Sequence, residues 1–181
     1  MEYFEKYWSQ IALILTIIAG IVKFYFDART KKDEIRYTQI IQFKMNLARE
    51  YIEAYTTIHT KINKVSNHLF FGSWEDESLL PILEEYNTAS SKFNSAAQLT
   101  RFAFSNEINT KINQLIRILL ETTQKINLYV NYRRSSNVKS KDVSSKISDD
   151  YSLAVSENIP NVIPVLGEEI IKLIGIELNL K

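Results

Sequence analysis

A run without a single charge, IALILTIIAGIV at residues 11–22, constrains this chain more than any other stretch. Aromatic residues flank it, with Tyr3, Phe4, Tyr7 and Trp8 before and Phe24, Tyr25 and Phe26 after. Amphipathic rings of this kind collect at the two headgroup levels of a bilayer. From Trp8 to Tyr25 an α-helix rises about 26 Å at ~1.5 Å per residue, against a hydrocarbon core of roughly 30 Å. Beyond Thr16 the run has no polar stripe, unlike a half-buried core helix or a helix lying flat at an interface. Glu2, Glu5 and Lys6 before the run, and the bulky residues at 23–27 after it, do not form a cleavable signal peptide. The expectation is a single N-terminal transmembrane helix within residues 1–27.

The flanking charges set an orientation. Lys23, Arg29, Lys31, Lys32 and Arg36 follow the run as a juxtamembrane basic group, against Lys6 alone before it, so the positive-inside rule places the N-terminus outside and residues 28–181 in the cytoplasm. With the richness in Ile, Asn and Lys, this reads as a single-pass protein of a bacterial inner membrane. Ala12, Thr16 and Gly20 recur every fourth residue and put three small side chains on one face, the pattern of a transmembrane association face where a second helix can approach closely.

The 181 residues leave about 150 after the anchor, the size of one ordinary domain. Only four glycines and three prolines occur, which suits long helices rather than a sheet. The first cytoplasmic helix is expected over about 33–70, with Ile41, Met45, Ala48, Ile52, Tyr55, His59, Ile62, Ser66 and Leu69 as its stripe and Ile40, Leu47, Tyr51, Ile58 and Val65 on the flank. Gly72 is a candidate end cap, and Ser78 a candidate start of the next helix, with Pro81 in its first turn. That second stripe is Leu79, Ile82, Leu83, Tyr86, Ala89, Phe93, Ala96, Ala97 and Thr100. The third runs Ile108, Ile112, Leu115, Leu119, Thr122, Ile126 and Tyr129, supplemented by Ile116, Leu120 and Val130. A weaker helix over about 142–157, carrying Val143, Ile147, Tyr151, Ala154 and Val155, should stop at Asn158-Ile159-Pro160, because the residue before proline is pushed out of the α region. A closing helix from Pro164 to about Asn179 is expected to be buried, with Gly167 and Gly175 each lowering its intrinsic stability by about 1 kcal/mol. The fold class is all-α: one transmembrane helix followed by an antiparallel cytoplasmic bundle of four to five helices.

Residues that carry chemistry are scarce. The chain has no cysteine, hence no thiolate nucleophile, thiolate metal site or disulfide framework. His59 and His68 lie nine positions apart and turn to different sides of a helix, so they do not pair as metal ligands. No phosphate loop, zinc-protease, hydrolase-elbow or kinase motif is present, which implies no cofactor and no small-molecule substrate. Glu84 and Glu85, like Asp149 and Asp150, are adjacent and do not face one another on a helix. These features argue against an enzyme. A net charge of +1 argues against general nucleic-acid binding. Arg133, Arg134, Lys139 and Lys141, with Lys125 and Lys146 and the interleaved Tyr129 and Tyr132, form a possible anion or lipid patch.

Two functions follow from sequence. One is a scaffold or regulatory subunit that acts by protein–protein interaction or assembly at the inner membrane face, with the bilayer and a protein partner or second copies as its partners. The other is a membrane-active effector of toxin or anti-phage type that oligomerises through Ala12, Thr16 and Gly20.

Overall fold

Long stretches without Gly or Pro let helices run uninterrupted, and the computed structural model is all-helical among the residues it describes: 2–71, 76–134 and 141–179, with side-chain surroundings given for 15–69, 78–134 and 145–179. The helices are α1 (Glu2–Phe71), α2 (Asp76–Ala103), α3 (Asn106–Arg134), α4 (Lys141–Leu153) and α5 (Ile163–Glu177), with a π-helical segment (Ala154–Val162) joining the last two. The chain divides into two units, Met1–Phe43 and Lys44–Lys181.

Among the described residues no helix is long and apolar enough to cross a membrane. This overturns the single-pass anchor at 1–27, the N-out topology and the inner-membrane localisation expected from sequence. The physical reason is charge: among the residues whose side chains are described, the eighteen from Leu15 onward take in Lys23, Asp27, Arg29, Lys31 and Lys32. Charges at that density are costly in hydrocarbon.

The second unit is a four-membered helical bundle: the last part of α1, then α2, α3 and the continuous α4–π–α5 rod. Cross-helix pairs fix its directions. Between α3 and the rod, Lys111 Nζ lies 2.8 Å from Glu169 Oε2, Asn158 Nδ2 donates to Thr122 Oγ1 at 3.0 Å, and the rings of Tyr129 and Tyr151 stack at 3.9 Å. Each step up α3 is matched by an equal step down the rod, so the two are antiparallel. The pairs Tyr51 with Phe93 and Lys61 with Glu85 make α1 and α2 antiparallel, and Tyr86 with Thr123, equally far from the turn at Phe104 and Ser105, does the same for α2 and α3. Lys44 with Glu177 and Tyr55 with Ile163 close the ring between α1 and α5.

The core follows the heptad stripes with one rotation. On α3 the buried residues are Ile108, Ile112, Leu115, Leu119, Thr122, Ile126 and Val130. On α1 they are Leu47, Ala48, Tyr51, Tyr55, Ile58, Ile62, Val65, Ser66 and Leu69. The expected flank of α1 is thus the centre of its buried face; Ile52 and His59 sit at the edge, and Ile40 and Met45 are exposed.

Two helix boundaries differ from expectation. Helix α2 begins at Asp76, so Ser78 lies inside the first turn, near His68 Nε2 at 3.3 Å, rather than capping from outside. Gly72, the expected cap of α1, lies outside the described residues. The break expected at Pro160 does not occur. Instead the rod widens into the π segment, where Ile163 N–H donates to Asn158 O, five residues back, and backbone angles stay right-handed at both ends. The wider turn moves the earlier carbonyl away from the proline ring, relieving the contact that would break an α-helix. Pro164 then occupies the first turn of α5, as its missing N–H allows. Asn179, at φ 53°, ends α5 in a left-handed conformation that Asn tolerates.

One end of the bundle is pinned by a mixed cluster. Lys44 Nζ sits 2.7 Å from Glu177 Oε1 and 5.2 Å from the Phe104 ring centroid, while Ser105 N–H donates to Glu177 Oε2 at 3.0 Å. Partial burial works to raise the Glu177 pKa, but the Lys44 ammonium and the Ser105 N–H outweigh it and hold the carboxyl below the usual range. A depressed folded pKa contributes stability above the unfolded value, and that contribution is lost as pH falls through the folded one. Glu177→Gln is therefore expected to flatten the acid limb of melting temperature against pH; an unaltered acid limb would remove this cluster as its cause.

Candidate functional site

The first unit is a single helical segment whose chemistry is unlike that of the bundle. Every described side chain from 15 to 40 is exposed, among them Leu15, Ile17, Ile18, Ile21, Val22, Phe24, Tyr25 and Phe26. Ile21 is 64% and Phe24 77% exposed. A contiguous exposed apolar surface of this kind marks a place of contact. Covering each such side chain contributes roughly 1.5–3 kcal/mol.

The sequence-derived candidates fall as follows. Thr16 and Gly20 are exposed on this segment, and a Cβ built on Gly20 would meet nothing within 4 Å. The side chain of Ala12 lies outside the described residues. Lys23, Arg29, Lys31, Lys32 and Arg36 are all exposed, but they do not form one patch. Arg29, Lys32 and Arg36 share a helix face with Tyr25, Ala28 and Asp33. Lys31 falls instead on the face of Ile17, Phe24 and Ile35, by the 3.6-residue period. The second basic patch is only partly described: Arg133 and Arg134 are exposed at the end of α3, Lys139 lies outside the described residues, and so does the side chain of Lys141 at the start of α4. Tyr129, one of the two tyrosines interleaved with that patch, is stacked on Tyr151 with an interplanar angle of 6°.

The bundle's concave surface is shallow. A groove of about 480 Å³ between α1 and α2 is lined by Glu50, Glu53, Ala54, Thr57, Ser91, Lys92, Ser95, Ala96 and Leu99. Beside it, Glu85 accepts from both Lys61 and Lys64 at 2.9 Å, and these hydrogen bonds lower its pKa to about 2. A carboxyl so firmly ionised does not donate a proton near neutrality. His59 is half-buried, 3.1 Å from Asn63 Nδ2 and stacked parallel to Tyr55. Among the described residues no group of three or more His, Cys, Asp or Glu is placed to hold a metal ion. The Tyr55 hydroxyl donates to Ile163 O at 3.2 Å, and burial, then the Glu168 carboxylate, pushes its pKa up to about 12. It acts as a structural donor.

A four-membered all-α bundle preceded by an exposed apolar helical segment is the class these features define. Comparison with protein-family models, with curated proteins and with solved structures finds no match.

Proposed function

We propose that the protein works by assembly: the N-terminal part of α1 is a recognition helix for another protein chain, and the bundle is the body it recruits. The observation that carries this is the uncovered apolar surface of residues 15–26, placed on a helix and outside the bundle's own core. The bundle needs none of these side chains for its packing, so their hydrophobicity is available for a helix-on-helix contact.

Replacing Ile21 and Phe24 together by Asp and Ser tests the proposal. Light-scattering mass after gel filtration is expected to show the parent chain in a complex, with itself or with a co-purifying protein, and the double variant free of it. The melting temperature of the bundle should stay the same in both. A double variant that keeps every association of the parent would overturn the proposal.

A further inference from the structure

Residues 15–26 are apolar on more than one face, Leu15, Val22 and Phe26 lying opposite Ile17 and Phe24, but only one face continues as an apolar series past the basic residues. Ile17, Ile21, Phe24, Ala28, Lys31, Ile35 and Thr38 follow one another at alternating spacings of four and three, which places them along one face, and all are exposed. In heptad terms Ile21, Ala28 and Ile35 occupy a, and Ile17, Phe24, Lys31 and Thr38 occupy d. The flanking positions then follow without further choice: Gly20, Asp27 and Glu34 are at g, and Ile18, Tyr25, Lys32 and Gln39 are at e. In a parallel pair each g residue faces the e residue five positions later on the other helix. Asp27 of one copy then meets Lys32 of the next, and Glu34 meets Gln39. In an antiparallel pair g faces g and e faces e, so the acids Asp27 and Glu34 would meet each other and gain nothing.

Resting on the assembly reading above, we propose that the partner is a second copy of this chain, bound in parallel and in register through the seam from Ile17 to Thr38, with Asp27 of each copy paired to Lys32 of the other. Gly20, at g beside the seam, leaves room for the backbones to approach at the apolar end. Lys31, at a d position, places its methylenes on the seam and its ammonium in solvent.

The charge pair gives a test that needs only this protein. Asp27→Lys sets Lys against Lys in a pair of identical chains, and Lys32→Asp sets Asp against Asp. Mixing the two variants restores an opposite-charge contact on both sides. By sedimentation velocity on full chains at low salt, each variant alone is expected to self-associate on the order of tenfold more weakly than the parent, and the equimolar mixture to recover the parent's affinity as a mixed pair. Ile35→Cys, introduced into a chain with no other cysteine, should form an interchain disulfide rapidly, as an a position faces itself only in a parallel, in-register pair. A parent that stays monomeric at all concentrations overturns the second-copy proposal. The assembly reading then survives only if the Ile21 and Phe24 double variant loses a different protein. A parent that associates, but with mixing that rescues nothing and Ile35→Cys that does not crosslink, overturns the parallel register and leaves self-assembly standing.

Discussion

Ile112→Ala is expected to cost the bundle roughly 2 to 5 kcal/mol, the range for cavities left by large buried aliphatic side chains. Ile112 is completely buried and is the second position of the α3 stripe, on the helix that meets α2 on one side and the α4–π–α5 rod on the other. At that level α3 is tied to α5 by Lys111 with Glu169, and further along α3 to α2 and the rod by Tyr86 with Thr123 and Asn158 with Thr122. None of these elements can move inward without breaking its own contacts, so the void should collapse little. The check is urea unfolding followed by far-ultraviolet circular dichroism, read as a lowered midpoint at an unchanged slope. A loss below about 1 kcal/mol would mean that α3 is not the hub its burial makes it.

Gly167→Ala should produce the second large effect, and with the opposite sign from the same change at Gly175. In an open helix surface Gly→Ala gains up to about 1 kcal/mol from lower backbone entropy in the unfolded chain. Gly175 offers that case, since a Cβ there meets nothing within 4 Å. At Gly167 a Cβ would lie 2.0 Å from Tyr55 Cζ and 2.1 Å from its hydroxyl. The ring is not free to swing aside: Tyr55 donates to Ile163 O and stacks on His59. Overpacking of this kind costs about 1 to 3 kcal/mol, which exceeds the propensity gain. Melting temperatures are expected to fall for Gly167→Ala and to hold or rise for Gly175→Ala. Adding Tyr55→Ala to Gly167→Ala should give a combined loss smaller than the sum of the two, because the first change removes the clash that the second creates. Strict additivity would show that the close approach of α1 and α5 is not the cause.

The apolar periodicity placed the bundle's helices because a single helix must turn one stripe inward, whatever its neighbours are. On α3, where apolar residues are narrowly confined, six of the seven buried positions are those of the main sequence stripe, and Val130 replaces Tyr129 at the end. On α1, two overlapping stripes compete, and nothing local decides which is central. The neighbouring helices decide, drawing Tyr51, Ile58 and Val65 to the middle and leaving His59 at the edge. The candidate recognition surface was legible as an apolar run, but its meaning was not. A charge-free stretch of twelve residues reads alike for any apolar environment, and the charges that close in after Val22 leave no helix, among the described residues, long and apolar enough to cross a membrane.

By itself, then, the sequence determined the all-helical class, the α3 stripe and the buried closing helix, since each depends on short-range spacing along one helix. Tertiary structure decided the rest. Pro160 looked like a break, yet α3 and the rod pack continuously across it, from Lys111 and Glu169 to Tyr129 and Tyr151, and the chain absorbs the proline by widening one stretch of helix. Gly167 and Gly175 looked alike as two equal costs to one helix. They differ because Tyr55, more than a hundred positions earlier, lies against only one of them, and no pattern along α5 carries that information.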